Sequence, residues 1–141
     1  MQTIRKLKYL VSGAVLLLAL ALAASAQTAR RVTFQKGRTA TVVNGLLPRA
    51  AGDYDAYIVR ARRGQTLSFR LITDEPDAYV FVFESELLGP DEDMLTPEGE
   101  RLREWSGALP VTSKYSVQVY GPDGSSRKAR SIKYALEISI K

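Results

Sequence analysis

The feature that most constrains the fold of this 141-residue chain is an alternation of apolar and polar residues within residues 53–71. On its second half every other position is apolar, namely Leu67, Phe69 and Leu71. This period of two is typical of a β-strand with one buried face. The first half, 54–59, is rich in aromatic and β-branched residues, which also favour strands. With a glycine-containing turn at 62–64, we predict a β-hairpin at the centre of a sheet.

Similar patterns recur along the chain and predict an all-β fold. Further strands are expected at residues 32–35, 39–47, 79–83, 114–120 and 134–141. We expect a bend or bulge at residues 44–45, and a long loop at 84–103 with room for one short helical turn after Pro97. About seven or eight strands at this spacing indicate a single antiparallel β-sandwich. Its core is predicted to contain Phe34, Leu67, Phe69, Phe81, Val117, Leu136 and Ile138.

The N-terminal segment has the pattern of a secretory signal peptide. A positively charged start precedes an apolar run at residues 10–22, and Ala24-Ser25-Ala26 then provides a cleavage site. The run is short for a membrane-spanning helix, which needs about 20 apolar residues. We therefore predict a signal peptide at residues 1–26 and one β-sandwich domain at 27–141. The mature protein is expected to be periplasmic or secreted and not attached to a membrane.

The chain contains neither cysteine nor histidine. An exported domain of this composition has no disulfides, so packing alone must stabilise it. The usual nucleophile–base pairs and the commonest zinc ligands are also missing. We therefore expect a protein that is not an enzyme and that carries no metal ion or cofactor.

Charge is segregated along the chain. The formal net charge is +5, yet residues 74–104 contain 11 acidic and two basic residues. A nucleic-acid-binding protein would be expected to present one basic face with interleaved aromatics. A bipolar surface is better suited to steering towards a charged protein. The expected partner is therefore a protein, and no nucleic acid is expected.

Acidic residues offer two candidate sites, each with a simpler explanation. Asp53 and Asp55 are spaced as a glycosidase-like carboxylate pair could be, but turn capping and surface charge are the favoured roles. Five acids could supply calcium-binding oxygens, but they lack the spacing of an EF-hand loop, so a solvated acidic loop is favoured. These five are Asp74, Asp77, Asp91, Glu92 and Asp93.

Trp105 and a run of cations complete the candidate residues. As the one tryptophan of the chain, Trp105 could stack on a sugar, although covering the end of a small core is the favoured role. The cations follow a polar turn and are well suited to capturing a carboxylate, since guanidinium groups pair bidentately with it. A solubilising loop is an equally good explanation for them. The run consists of Arg127, Lys128, Arg130 and Lys133.

A set of short motifs resembles the bacterial periplasmic inhibitors of goose-type lysozyme, which are β-sandwich proteins related in architecture to pre-peptidase C-terminal domains. The motifs are Val32-x-Phe34-x-Lys36-Gly37, Asp53-Tyr54-Asp55-x-Tyr57, Gly64-Gln65, Lys114-Tyr115, Arg127-Lys128 and Tyr134-x-x-x-Ile138-x-Ile140-Lys141. They span nearly the whole predicted domain in the family's order. The loop at 46–52 is longer than the family's pattern, and the acidic segment 84–103 is an insertion.

The resemblance implies an inhibitor whose loop-borne Tyr and Arg side chains enter the active-site cleft of a lysozyme, goose-type by family. Tyr54 would match the aromatic residue of the motif and Arg127 the loop arginine. Arg130 is a looser candidate, and Lys128 lies beside Arg127.

Two other functions remain open from the sequence, together with the oligomeric state. A β-sandwich module could bind a polysaccharide or an exported protein through an exposed aromatic row of Trp105, Tyr120 and Tyr54. A hydrolase using Asp53 or Asp55 is the weakest candidate, because no ordered acid–base set can be drawn.

Overall fold

A computed structural model describes residues 29–47, 54–84, 93–122 and 131–141. Nine strands lie in these ranges: β1 (Ala29–Arg31), β2 (Ala40–Leu47), β3 (Tyr54–Ala61), β4 (Thr66–Ile72), β5 (Tyr79–Glu84), β6 (Asp93–Met94), β7 (Glu104–Ala108), β8 (Ser113–Tyr120) and β9 (Ile132–Ile140). They form a five-stranded sheet, β1-β3-β8-β5-β6, and a four-stranded sheet, β2-β9-β4-β7. Across these ranges no helix is long and apolar enough to cross a membrane. The predicted all-β sandwich is confirmed.

The core lies between the two sheets, and the longer strands contribute inward-facing side chains to it. On the five-stranded sheet Tyr115, Val117 and Val119 of β8 are fully buried, and Val59 of β3 packs beside them. The four-stranded sheet contributes apolar side chains spaced by two from β4 and β9. They are Leu67, Phe69, Leu71, Ile132, Tyr134, Leu136, Ile138 and Ile140. The period of two therefore predicted the buried faces of β4, β8 and β9 correctly.

The central hairpin prediction is wrong, because β3 and β4 belong to different sheets. β3 pairs with β8 and β4 pairs with β9 and β7. The turn at 62–64 forms as expected, with Gly64 at φ 86° and the amide of Gln65 donating to the carbonyl of Arg62 (3.1 Å). The chain then crosses from one sheet to the other, so the apolar faces of β3 and β4 meet across the core. Alternation alone does not distinguish two strands that lie side by side from two that lie face to face.

The predicted first strand and the predicted burial of Phe34 and Phe81 need correction. The first strand is Ala29–Arg31, parallel to β3, and not 32–35. After the amide of Val32 has donated to the carbonyl of Ile58 (2.9 Å), the chain leaves the sheet edge and turns at Gly37 (φ 78°) to reach β2 in the other sheet. Phe34 is only partly buried, although it packs against the core. Phe81 is not in the core: it lies on the outer face of β5, since Val80 and Val82 occupy the inward positions.

The predicted loop 84–103 and the predicted bend at 44–45 also differ from the structure. Pro97 to Glu100 form a tight turn with Gly99 at φ 79° and not a helical turn, and the sequence patterns missed strands β6 and β7. β2 pairs with β9 without interruption, so there is no bulge at Gly45. Glycine is required there for a different reason. A Cβ atom at position 45 would lie 2.6 Å from Cε1 of the buried Tyr134 ring.

Candidate protein-binding site

Tyr54 lies at one end of the sandwich, as the first residue of β3. Its Cα partner is Tyr120, the last residue of β8. Both side chains are on the outer face of the five-stranded sheet and are half-buried, and their ring centroids are 4.9 Å apart. Because antiparallel partners bring their side chains within contact distance, the register itself places the two rings together.

The aromatic contact continues onto a third strand. Tyr120 is also the Cα partner of Tyr79, the first residue of β5. The two rings are 5.3 Å apart and nearly parallel, with an interplanar angle of 5°. Cζ of Arg101 lies 4.8 Å from the centroid of Tyr79, within the range of a cation–π contact. We call the row Tyr54, Tyr120 and Tyr79 the tyrosine stack.

The tyrosine stack lies at the end of the molecule where two loops begin and finish. β2 ends at Leu47 and β3 begins at Tyr54, while β8 ends at Tyr120 and β9 begins at Ile132. Leu47 and Ile132 are Cα partners, as are Tyr54 and Tyr120. The connections 48–53 and 123–130 are therefore anchored at this same end. The predicted partner-binding residues Arg127, Lys128 and Arg130 lie outside the described ranges, so their roles stay predictions.

Asp55 is not a surface charge, which corrects the role favoured from the sequence. Its side chain points to the interior from β3 and accepts a hydrogen bond from the hydroxyl of Tyr134 on β9. The hydroxyl of Tyr57 then donates to Tyr134, with an O···O distance of 2.6 Å. Burial, followed by the hydrogen bond to Asp55, raises the pKa of Tyr134 above its usual value. These three hydrogen-bonded side chains join the two sheets. Asp55 therefore has a structural role.

The other half of the proposed carboxylate pair, Asp53, lies outside the described ranges. Asp55 already accepts a hydrogen bond from the hydroxyl of the buried Tyr134, and it faces the interior and not a cleft. The structure therefore provides no support for a hydrolase built on Asp55.

Trp105 covers the edge of the core, as favoured from the sequence. It lies on β7, the edge strand of the four-stranded sheet, and pairs with Phe69. The two rings stack with centroids 6.2 Å apart. A Cβ atom at Gly107 would lie 2.6 Å from Cη2 of the indole, so the glycine makes room for the ring. Because Trp105 faces inward on one sheet and Tyr54 and Tyr120 face outward on the other, these residues do not form the single aromatic row expected of the binding-module alternative.

The candidate calcium ligands are only partly within the described ranges. Asp74, Asp77 and Asp93 are exposed, whereas Asp91 and Glu92 are not described. Over the ranges given above, no group of three or more His, Cys, Asp or Glu side chains is arranged to hold a metal ion. In the turn that contains Asp74, the buried Glu75 accepts a hydrogen bond from the amide of Asp77 (3.3 Å).

Sequence comparison decides the family. The chain is 30% identical over 139 residues to the inhibitor of g-type lysozyme from Escherichia coli (strain K12), covering 93% of this chain and 96% of that protein. This chain belongs to the family of g-type lysozyme inhibitors. The resemblance noted from the short motifs is thereby confirmed. No protein-family model matches the sequence.

Solved structures agree with the assignment to the g-type lysozyme inhibitors. The crystal structure of Aeromonas hydrophila PliG, a periplasmic inhibitor of g-type lysozyme, superposes with a TM-score of 0.68 at 26% identity, covering 81% of this chain and 96% of that one. The pre-peptidase C-terminal domain of Bacillus anthracis collagenase shares the fold, with a TM-score of 0.51 at 16% identity and coverage of 82% and 96%. The first two relatives are inhibitors, which agrees with the prediction that the chain is not an enzyme.

The sequence reasoning missed most of the tyrosine stack. It placed Tyr120 in a different aromatic row and gave Tyr79 no role beyond its strand. A signal was present, since the period of two within 79–83 puts three aromatics on one face and two valines on the other. No local sequence pattern predicts the position of Arg101 over Tyr79, because that position depends on how residues 93–103 pack along β5.

Proposed function

We propose that this protein inhibits goose-type lysozyme by inserting Tyr54 and cations of the 123–130 segment into the active-site cleft. The observation that carries the proposal is the position of Tyr54. It lies at the end of the sandwich where residues 48–53 and 123–130 are anchored, and its ring is held against Tyr120. A tyrosine whose ring is already held in place at this end can enter a cleft with little loss of side-chain conformational entropy. Membership of the inhibitor family supports the same partner.

The chemistry of a lysozyme cleft explains why these residue types suit the task. Such a cleft holds a catalytic carboxyl group in a partly desolvated site. The guanidinium of Arg127 pairs with this group bidentately and displaces water. The ring of Tyr54 fills part of a sugar subsite while its hydroxyl forms a hydrogen bond there. Arg130 and Lys128 add charge around this contact.

Acidic residues at the same end steer the encounter. Asp74 and Asp77 are exposed and follow Thr73, whose hydroxyl donates to the carbonyl of Lys133 at the start of β9 (2.8 Å). This hydrogen bond places the acidic turn at the end of the sandwich that carries Tyr54. Negative charge around a binding end accelerates association with a positively charged partner, with a rate that falls as salt is added.

The test is a titration of the purified domain into assays of goose-, chicken- and invertebrate-type lysozymes. We expect inhibition of the goose-type enzyme. If none of the three classes is inhibited, the binding-module alternative replaces this proposal.

Substitutions test the assigned residues. Arg127→Ala removes the partner of a buried carboxylate and should weaken binding by about 2–5 kcal/mol, mostly through faster dissociation. Lys133→Ala is the matched control, because Lys133 is an exposed cation near the same loop and should cost well under about 1 kcal/mol. Asp53→Asn should leave inhibition largely intact. Equal losses from Arg127→Ala and Lys133→Ala would indicate diffuse charge attraction instead.

We also propose that residues 1–26 are removed on export and that the mature domain is residues 27–141. The charged start, the apolar run and the Ala-x-Ala site support this, as does the periplasmic location of the Aeromonas hydrophila relative. Mass spectrometry of the exported protein should give a chain that begins near Gln27. An exported protein that keeps the leader would contradict the proposal.

A further inference from the structure

We propose that Tyr120 is a positioning residue that holds the ring of Tyr54 in the orientation needed to enter the lysozyme, with Tyr79 as its backing. This inference rests on the proposed function and adds to it the group that prepares Tyr54 for binding. Tyr120 acts through Tyr54 and is not assigned a contact with the partner.

Tyr54 lies where the sheet gives it little support. It begins β3, so the ladder of backbone hydrogen bonds supports it from one side only. Within the described ranges its hydroxyl makes no hydrogen bond, and its ring contact is with Tyr120, 4.9 Å between centroids. The direction of the ring is therefore set by its neighbour on β8.

Tyr120, in contrast, is held firmly by hydrogen bonds. Its hydroxyl donates to Oε1 of Gln118 (2.6 Å), and Nε2 of Gln118 donates in turn to Oγ of Ser116 (3.1 Å). Gln118 is 2% exposed and Ser116 is fully buried, so this series of hydrogen bonds is shielded from water. A buried polar side chain whose hydrogen bonds are satisfied has one favoured conformation, because losing a bond leaves an unpaired group.

Two further aromatic rings support Tyr120 on the side away from Tyr54. Tyr79 is 8% exposed and lies parallel to Tyr120 at 5.3 Å. Phe81 contacts both tyrosines, at 5.1 Å from Tyr79 and 5.6 Å from Tyr120. Such offset and edge contacts between rings are favourable beyond the area they bury. The row therefore becomes more constrained from Tyr54 towards Tyr79, as expected if its inner members fix the orientation of its outermost member.

The stack also explains why these rings are not a sugar-binding platform. A platform presents open ring faces to the ligand. Here a face of Tyr120 lies against Tyr79, and Phe81 contacts the same ring. The ring of Tyr120 is therefore covered by other rings, which suits a supporting role.

The experiment is a double-mutant cycle measured by inhibition of goose-type lysozyme. Tyr120→Leu removes the supporting ring and should weaken inhibition by about 3- to 10-fold, the effect of having to order a free side chain on binding. In the Tyr54→Ala background the same substitution should change inhibition by less than about 2-fold, because no ring is left to position. Equal losses in both backgrounds, or no loss in the first, would overturn the inference.

Two further variants separate positioning from general damage. Tyr120→Phe keeps the ring between Tyr54 and Tyr79 but removes its hydrogen bond to Gln118, so it should weaken inhibition, by less than Tyr120→Leu does. Phe83→Leu removes an aromatic ring from the same outer face, in contact with Phe81 and outside the tyrosine stack, and should leave inhibition unchanged. If Phe83→Leu weakens inhibition as much as Tyr120→Leu does, the effect is not specific to the stack and the inference fails.

The failure of this inference is distinguishable from the failure of the proposed function. If Tyr54→Ala alone has no effect on inhibition, Tyr54 is not part of the binding site and both proposals fall. If Tyr54→Ala weakens inhibition but Tyr120→Leu adds the same loss with and without Tyr54, only the positioning role is wrong. Thermal unfolding of each variant confirms that the proteins compared are folded at the assay temperature.

Discussion

The outer faces of the two sheets carry different kinds of side chain. On the five-stranded sheet, tyrosine and phenylalanine rings lie around Gln118 and Ser116, which are buried although they point away from the core. On the four-stranded sheet, Arg70 pairs with Glu137 and Ser68 bonds to Ser106 (2.8 Å), all in exposed positions.

The two outer faces therefore differ in how their side chains are ordered. An outer face that only meets water needs polar side chains whose contacts are weak and solvated, as on the four-stranded sheet. Val42 and Ile72 on that face are about half exposed. On the five-stranded sheet, aromatic rings and side-chain hydrogen bonds cover the outer face instead. Ordering of this kind on an outer face is expected where a partner must find its contacts already in place.

The largest effect is expected from the core that both faces share. Phe69→Ala should lower the free energy of unfolding by about 3–5 kcal/mol, because it removes a buried ring and the support for Trp105. Denaturant melts of the purified domain measure this loss. This loss of unfolding free energy is the reference for the smaller losses expected from substitutions on the outer faces. A loss below about 1 kcal/mol would show that the core is not packed around Phe69.

The next largest effect concerns the polar link between the sheets at high pH. Burial raises the pKa of Tyr134 above its usual value of about 10. The folded state therefore holds this proton more tightly than the unfolded state does. The contribution to stability is complete below about pH 10 and is lost at higher pH, by about 1.4 kcal/mol for each pH unit while the folded hydroxyl stays protonated.

Unfolding measured from pH 9 to pH 12 tests this expectation. The Tyr134→Phe variant should lose stability less steeply with pH than the unmodified protein, since it lacks one of the ionisable groups. Tyr57 and Tyr115 also have raised pKa values, so some alkaline dependence should remain. Identical slopes for the two proteins would contradict the burial of the Tyr134 hydroxyl.

A matched pair of substitutions compares the two outer faces directly. Gln118→Ala removes the acceptor of the Tyr120 hydroxyl in a buried setting and should cost about 1–3 kcal/mol of stability. Ser68→Ala removes an exposed hydrogen bond to Ser106 on the other sheet and should cost less than about 0.5 kcal/mol. Denaturant melts give both values. Equal costs would remove the distinction between the faces.

The smallest effect is expected at the salt bridge of the four-stranded sheet. Nε and Nη2 of Arg70 donate to the two carboxylate oxygens of Glu137, at 2.9 and 3.0 Å, but the two side chains are 59% and 39% exposed. A double-mutant cycle with Arg70→Ala and Glu137→Ala should give a coupling of about 0.2–1 kcal/mol that weakens as salt is added. A coupling that is larger and insensitive to salt would mean that this face is as ordered as the other.

The alternation in the sequence predicted the buried faces of β4, β8 and β9, and hence the fold class. A period of two reports which side of a strand is apolar, and it does so wherever the strand is long. It does not report which strand lies alongside, so β3 and β4 were wrongly paired. Short strands such as β6 have too few residues to show a period. Phe81 was misplaced because a segment with aromatics on one face and valines on the other is apolar on both.

The site could be predicted only in part. Tyr54 was singled out through a motif that resembles the inhibitor family, and its role in binding stays a prediction. The inward direction of Asp55 depends on its partner Tyr134, which is 79 residues away in sequence. The tyrosine stack also depends on residues distant in sequence, because its rings come from three separate strands. Contacts between distant segments are set by pairing, and no local pattern contains that information.

The position of β9 has a consequence for the order of events during synthesis. β9 follows every other described strand in sequence, yet it lies inside the four-stranded sheet between β2 and β4. Its pairing with β2 joins residues as far apart as Ala40 and Ser139. Until β9 emerges, β2 has no strand of its sheet to pair with, so this half of the sandwich cannot close. The four-stranded sheet therefore cannot be completed until β9 has been synthesised. Folding of the domain should also be slow for its size, because its contacts join residues far apart in sequence.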